Sequence, residues 1–437
     1  MLFRSMRSFL IALFALVAVA NAEKYAMVFG AAHGWNNYPV YSLTCRMVDD
    51  LVKGGIKREN IIYFTFHSEV NTTINPFPGK VFTDPAPDTS GDWAQYGCFN
   101  GVDYSDDVIS KELFLAILSG DAFTARKLTG QENPKVLAAG PEDTVFTYFI
   151  DHGAPGYIMI GRERVTSEEL LGAMRQAYLQ QLYGKWVWFM EACFSGSMFP
   201  KLPEDVNIYV MTAADAEHSA YMSNCPPDDA IAGVHLGPCL SSLWDEAYMV
   251  YLEEHPEGKI GELVDAVKEE VKKDSDQNVS EFGDKSFRDL PLSDFFGAMP
   301  ASRHGKRESK SIVSVDAVPR HLAMWEAIRA DKNELKNAMN EYERIVKAEA
   351  KKEVEVMRLG VALMNEKGAA VAMKNGAESY SIDCVRDLSL GLVKNCGHSI
   401  PMSEKTMNLL RSICLPGLST PEVNWSDICK IGRASCR

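Results

Sequence analysis

At 437 residues, with 46% hydrophobic side chains and a net charge of -14, the chain can bury a sizeable core and has room for more than one domain. An acidic balance without a basic patch interleaved with aromatics argues against a nucleic-acid partner. The charge is uneven: residues 1–297 carry 23 Lys and Arg against 42 Asp and Glu, whereas residues 298–437 carry 22 against 17.

The amino terminus sets Arg4 and Arg7 before an apolar run at 9–20 and ends it with Ala20-Asn21-Ala22, the small-x-small pattern of a cleaved signal peptide over residues 1–22. That run of about a dozen residues is short of the ~20 needed to span a bilayer. The predicted route is secretory, and sequons at Asn71, Asn278 and Asn424 suit it.

From residue 23 to 297, short β-branched and aromatic runs at 25–29, 61–66, 145–150, 186–190 and 208–212 alternate with amphipathic stretches such as 167–182. Runs of this kind read as strands buried on both faces, and their alternation with helices predicts a parallel α/β sheet. Ligands bind such sheets beyond the carboxyl ends of the strands. Asp151-His152-Gly153 follows the third run there, and Glu191-Ala192-Cys193-Phe194-Ser195-Gly196-Ser197 follows the fourth. Alone, Cys193 would read as a core thiol and His152 as a loop residue. Side by side, they are a nucleophile and its base: the thiolate attacks a peptide carbonyl and the imidazole protonates the leaving amine. Gly153 permits a close turn, and its N–H with that of Cys193 is a candidate oxyanion hole.

Residues 298–317 are small, polar and basic, as in an exposed linker. Beyond it Leu322, Trp325, Ile328, Leu335 and Met339 recur at helical spacing, and 345–364 continues in the same way, which predicts a helical bundle. Four late cysteines, Cys384, Cys396, Cys414 and Cys429, read as a disulfide framework whose spacing alone allows three connectivities. Cys45, Cys98 and Cys436 have no assignable partner, and Cys225 and Cys239 are either bonded to each other or buried thiols.

Several motifs stand in a telling order: Gly34-Trp35-Asn36-Asn37-Tyr38, residues 104–121, Asp151-His152-Gly153, Glu191-Ala192-Cys193, Ser195-Gly196-Ser197-Met198, Leu202-Pro203, Thr212-Ala213-Ala214 and Phe282-Gly283-Asp284-Lys285. With them the chain resembles the legumains, lysosomal or vacuolar cysteine endopeptidases, over nearly all of its mature length. The resemblance implies a caspase-like α/β domain, a parallel-dominated sheet flanked by helices, at 23–297. A linker and activation peptide at 298–350 and an all-α prodomain with disulfides at 351–437 would follow. It implies an acid-activated zymogen that acts on peptide and protein substrates with its own prodomain as intramolecular inhibitor, needs no cofactor or metal, has no stable membrane anchor, and resides in a lysosome, a vacuole or outside the cell. By motif, Cys193 is the nucleophile, His152 the proton carrier, Asn37 the residue that orients the imidazole, and Asp151 an aspartate able to cyclise to a succinimide. The same likeness pairs Cys384 with Cys414 and Cys396 with Cys429.

The substrate pocket departs from that pattern. Legumains read asparagine through an Arg and a His after the Asn-Tyr motif, a Glu two residues before the cysteine, and an Asp after Leu-Gly. Here Pro39 and Val40 follow Asn37-Tyr38, Pro238 follows Leu236-Gly237, and only Glu191 remains, with Ser219 and Tyr221 as further expected pocket residues. A buried carboxylate without its guanidinium is costly, so Glu191 is expected to take a basic substrate residue or to pair with His33, His218 or His235. Phe194, where an acidic residue is usual, predicts a more apolar rim. A second likeness, Ala232-Gly233-Val234-His235-Leu236, is to the catalytic subunit of glycosylphosphatidylinositol transamidase, an acyl transferase, and a third reading is a catalytically weakened binding protein of the same fold. The charge asymmetry suggests a cap released when interface carboxylates are protonated, set against plain solvated surface. Asn333, Asn337 and Asn340 offer cleavage positions in the tether.

Overall fold

The structure is a computed structural model that describes residues 22–89, 94–298, 311–330, 334–364, 366–375, 377, 380–396 and 404–416. The expected signal peptide, Asn333, Asn424, Cys429 and Cys436 lie outside the described residues, as does the Cys396 side chain.

Strands β1 (Lys24–Gly30), β2 (Ile61–Thr65), β3 (Thr144–Ile150), β4 (Lys185–Glu191) and β5 (Ile208–Thr212) pair in parallel in the order β5-β4-β3-β1-β2. Further along are β6 (Tyr221–Ser223), β7 (Ser280–Gly283), which adds an antiparallel edge beside β5, and β8 (Val313–Ser314). The predicted sheet is present because the strand side chains sort by period two into two cores. Ala26, Val28, Phe146, Tyr148, Val187 and Phe189 pack on one face with α1 (Tyr38–Lys53), α4 (Leu243–Glu254) and α5 (Ile260–Asp274). Met27, Phe29, Val145, Phe149, Trp186 and Trp188 pack on the other with α2 (Lys111–Leu118) and α3 (Ser167–Leu179). Each large side chain so buried contributes about 1.5–3 kcal/mol. Helix α1 opens with a proline in its first turn, where no N–H is needed, and α3 with a capping box between Thr166 and Glu169.

Register places the catalytic motifs. Gly30 lies opposite Ile150, and Ile150 opposite Glu191, so β1, β3 and β4 end flush. Strand β2 lies on one side of β1 and β3 on the other, so the chain changes direction at the β1–β3 boundary, where an open α/β sheet forms its crevice.

The carboxyl-terminal region is helical, with α6 (Val318–Arg329), α7 (Leu335–Leu363), α8 (Glu366–Asn375), α9 (Ile382–Cys396) and α10 (Glu404–Ile413). Helix α7 runs unbroken through residue 350, so the expected division between 298–350 and 351–437 falls inside one helix. Asn337 and Asn340 sit within α7, where the backbone is already hydrogen-bonded and closed to a protease cleft.

One cysteine expectation needs correction: Cys45 on α1, left without a partner, bonds Cys98. Of the two alternatives for Cys225 and Cys239, the structure has the bond between them. Neither bridge has a spacing signature, since the fold brings helix α1 to the turn at Cys98 and joins two positions of one loop region at Cys225 and Cys239. Cys384 bonds Cys414, joining α9 to the end of α10.

Candidate active site

The turns that follow β1, β3 and β4 build one cavity of ≈ 170 Å³ lined by Asn37, Pro39, Val40, Asp151, His152, Glu191 and Cys193 among others. After β4 the chain turns sharply: Phe194 adopts a left-handed backbone at φ 55, its N–H bonding the His218 carbonyl at 2.9 Å. The Ser-Gly-Ser motif fixes this turn. Ser195 Oγ donates to the Ala214 carbonyl and accepts from the Ala214 N–H, both at 3.1 Å, while Ser197 Oγ donates to the Phe194 carbonyl at 2.6 Å and accepts from the Gly156 N–H at 2.8 Å. Gly153 passes so near the nucleophile's backbone that a Cβ there would lie 2.3 Å from the Cys193 carbonyl oxygen. Only glycine fits that approach.

Asn37 decides which imidazole nitrogen is basic. Its Nδ2 donates to the His33 carbonyl at 2.7 Å, which turns Oδ1 toward His152 Nε2 at 2.9 Å. Nε2 therefore carries the proton, and Nδ1 is the proton-accepting nitrogen. One edge of the ring is open to the cleft, but the protein around it desolvates the imidazolium and holds its pKa below the usual range. The thiol is 5% exposed and accepts the Ala220 N–H at 3.4 Å. Burial, then the nearby Asp316 carboxylate, pushes its pKa up to about 12. Asp151 is buried as well, and burial pushes its carboxyl well up, while Oδ1 accepts the His152 N–H at 2.5 Å.

The sequence of residues 24–299 matches the profile of the Peptidase C13 family. The chain belongs to the Peptidase C13 family. Vacuolar-processing enzyme beta-isozyme 1 of Oryza sativa subsp. indica is 26% identical over 94% of this chain and 85% of its own. Hemoglobinase of Schistosoma japonicum is 32% identical over 64% of this chain and 62% of its own, and legumain of Mus musculus 32% over 63% and 60%. Among solved structures, caspase-1 from Spodoptera frugiperda aligns with 65% of this chain and 92% of its own at 12% identity and a TM-score of 0.36, a likeness too slight to add to the topology described above. The chain is thus a legumain-family cysteine peptidase with a mostly parallel sheet flanked by helices and a helical carboxyl-terminal region.

Three expected pocket residues of this C13 peptidase are not in the cavity lining, although Ser219 lies beside the thiol. Ser219 donates its hydroxyl to Asp316 at 2.9 Å, the Tyr221 hydroxyl bonds Asp276 at 2.7 Å, and Pro238 is buried outside the cavity lining. Of the histidines considered as partners for Glu191, His218 pairs with Asp215 at 2.8 Å, His235 with Asp229 at 2.7 Å, and His33 packs on Phe66. Glu191 stays unpartnered at both oxygens. Phe194 makes no apolar rim: it is 2% exposed, in a third core with Cys193, Ala220 and the helical residues Leu359, Leu388 and Leu410. Asn278 spends its amide on Asp215 at 3.1 Å, whereas Asn71 is exposed.

A segment with almost no sequence signature covers the site. Strand β8 pairs antiparallel with β6, Ser314 opposite Tyr221, and Val315 N–H donates to the Ala220 carbonyl at 3.1 Å. Val315, Val318 and Pro319 then line the cavity itself. The signal available in the sequence was the β-branched run Ile312-Val313 inside an otherwise polar linker. Downstream, α6 is fastened by Arg329, whose guanidinium bonds both Asp229 oxygens at 2.7 and 3.2 Å, and by His321 on the Pro226 carbonyl at 2.6 Å.

Proposed function

We propose that the chain is the latent form of a secretory-route cysteine endopeptidase that works in a lysosome or vacuole, held inactive by residues 311–329 and the helices behind them. The observation that carries this reading is β8, laid along the β6 edge as an extended substrate would be, by strand addition beside Cys193. Acid opens this cap, and substrate then takes the place of β8. His152 Nδ1 accepts the thiol proton, the thiolate adds to the peptide carbonyl, and the N–H groups of Gly153 and Cys193 receive the oxyanion. Collapse expels the amine with the proton from His152 and leaves a thioester, which water hydrolyses or a second amine intercepts in transpeptidation. Close approach of the Asp151 carboxyl to the His152 nitrogen, with burial keeping that carboxyl neutral, supports succinimide formation at Asp151. Of the two sequons among the described residues, Asn71 is the exposed acceptor.

The test is to incubate the full chain at about pH 4 to 5 with a protein-derived peptide mixture, beside Cys193→Ala. Cleavage should appear with the wild type alone. Equal cleavage by Cys193→Ala, or none by either, refutes the reading.

A further inference from the structure

The cavity beside Cys193 holds a group that the peptidase chemistry leaves unused. Glu191, the last residue of β4, is 1% exposed and lines the cavity, and neither carboxylate oxygen has a hydrogen-bond partner. The hydroxyl that could have served it, Ser242 Oγ, donates to Asp245 at 2.6 Å. Asp245, on α4, is itself 0% exposed. Burial and then the Asp245 charge hold the Glu191 carboxyl well above its ordinary range, and the Tyr148 and Tyr248 hydroxyls share the same enclosure. The cation nearest this group, Arg46, acts on Asp245 from α1 but is committed to Glu253 at 2.5 Å and Asp50 at 3.5 Å. Two buried carboxyls therefore face one region that lacks a positive charge of its own.

The walls leading to Glu191 are apolar: Pro39, Val40, Ile150 and Met222. We propose that this cavity receives the substrate residue preceding the scissile bond and that it selects lysine or arginine, the cation pairing with Glu191. The inference rests on the peptidase reading above and adds its substrate class. An ammonium brings three donors and a guanidinium five, with no acceptor, which is the complement of a carboxyl group short of donors. The methylene stem of either residue lies against apolar walls at little cost. Pro39, Val40 and Pro238 supply no side-chain polar atom, so a carboxamide would find only the protonated form of Glu191, whereas a cation lets the carboxyl ionise and gains the charge pairing as well. A buried carboxylate left alone is strongly unfavourable, so a cationic substrate gains more here than a neutral one.

The covering segment is consistent with this assignment. Val315, the residue that bonds Ala220 beside the thiol, is uncharged, and with it in place Glu191 is still unpartnered. Backbone pairing thus blocks the cleft without offering the preferred side chain. The stretch just before it, residues 298–310, carries Arg303, Lys306, Arg307 and Lys310 and no asparagine.

Fluorogenic peptides identical except for Lys, Arg, Asn, Gln or Ala before the scissile bond test the proposal. They are given to acid-incubated full-length chain, to Glu191→Gln and to Cys193→Ala, and a thiol-reactive probe reports Cys193 in each. The expected result is a kcat/KM for Lys or Arg about 100-fold above Asn and Ala in wild type, with the Lys-to-Ala ratio falling to about one in Glu191→Gln while probe labelling of Cys193 shows the site still formed. Cys193-dependent cleavage of Asn or Ala peptides as fast as Lys, or an unchanged Lys preference in Glu191→Gln, overturns the pocket assignment and leaves the peptidase reading standing. If no peptide is cut in a Cys193-dependent way, both fall. A Glu191→Gln that has lost probe labelling is replaced by Glu191→Leu, an apolar residue of similar volume, for which a Lys preference equal to wild type overturns the assignment.

Discussion

Replacing Asp316 by Asn should make the latent thiol more reactive without opening the fold. In the covered state the Cys193 pKa is raised from 9.0 to about 12, first by burial and second by Asp316. Three units correspond to about 4 kcal/mol against the thiolate, and at pH 8 the ionised fraction falls from roughly 10% to about 0.01%. Burial is the larger cause and Asp316 the second, so removing its charge should recover a minor part of that difference, on the order of one pKa unit or about 1.4 kcal/mol. Removing an anion beside a thiol lowers the thiol pKa, and Asp316→Asn should therefore raise the alkylation rate of Cys193 about tenfold below the midpoint. The assay is iodoacetamide labelling of intact protein between about pH 7 and 10, read by mass spectrometry at Cys193. Six described cysteines do not interfere, because they are bonded as Cys45–Cys98, Cys225–Cys239 and Cys384–Cys414. Wild type should show a rate climbing about tenfold per pH unit without a plateau. A variant that reacts at the wild-type rate at every pH refutes the electrostatic role of Asp316, and a flat wild-type profile refutes the raised pKa itself.

Arg329→Met should loosen the cap, because buried Asp229 would keep only His235 and the Gly237 N–H against its charge, at a cost below the about 3–5 kcal/mol of a buried charge left wholly unpaired. Burial pushes the Asp229 carboxyl up, yet Arg329, the Gly237 N–H and His235 together hold it below its ordinary value. This contribution is therefore full above a pH of about 4 and lost only as pH falls through the depressed folded value. Arg329→Met should release peptidase activity near pH 7, where wild type stays latent, and a variant as latent as wild type sinks that account. Gly153→Ala places a methyl 2.3 Å from the Cys193 carbonyl oxygen. It should cost at least about 100-fold in kcat, measured after acid incubation on any substrate that wild type cleaves, and unaltered kcat would show that the two turns do not need this approach.

The main sheet was legible because β1 to β5 are buried on both faces and spell their strands in unbroken apolar runs. His152 and Cys193 were legible for a related reason, since each lies two residues beyond register partners Ile150 and Glu191. What escaped the sequence depended on distant contacts. Phe194 reads as a rim residue until the helices supply Leu359, Leu388 and Leu410 to bury it. Ser219 and Tyr221 carry polar groups suited to a pocket, and only the fold shows that Asp316 and Asp276 have taken them. Strand β8 spans two residues, too short for any periodic signal, and exists because the β6 edge offers it partners.

The third core alters how the charge asymmetry is to be understood. Cys193, Phe194 and Ala220 share it with α7, α9 and α10, so the nucleophile's own turn is part of the surface that the helices bury. Carboxylates fasten part of the cap but do not all respond to acid alike. Asp229 is held down by Arg329 and resists protonation, whereas burial, against Arg411, pushes Glu217 above its ordinary value, so Glu217 takes its proton before Asp229 as pH falls. The Arg411 guanidinium bonds the Glu217 carbonyl and stacks over Tyr380. Neutralising Glu217 removes a negative charge from beside Arg411 while leaving Arg329 on Asp229, so acid should weaken the α10 contact before the α6 one. On that order the bundle loosens first, and the strand over Cys193, fastened through Arg329 and Asp229 but deprived of the helices behind it, is the last part of the cap to leave.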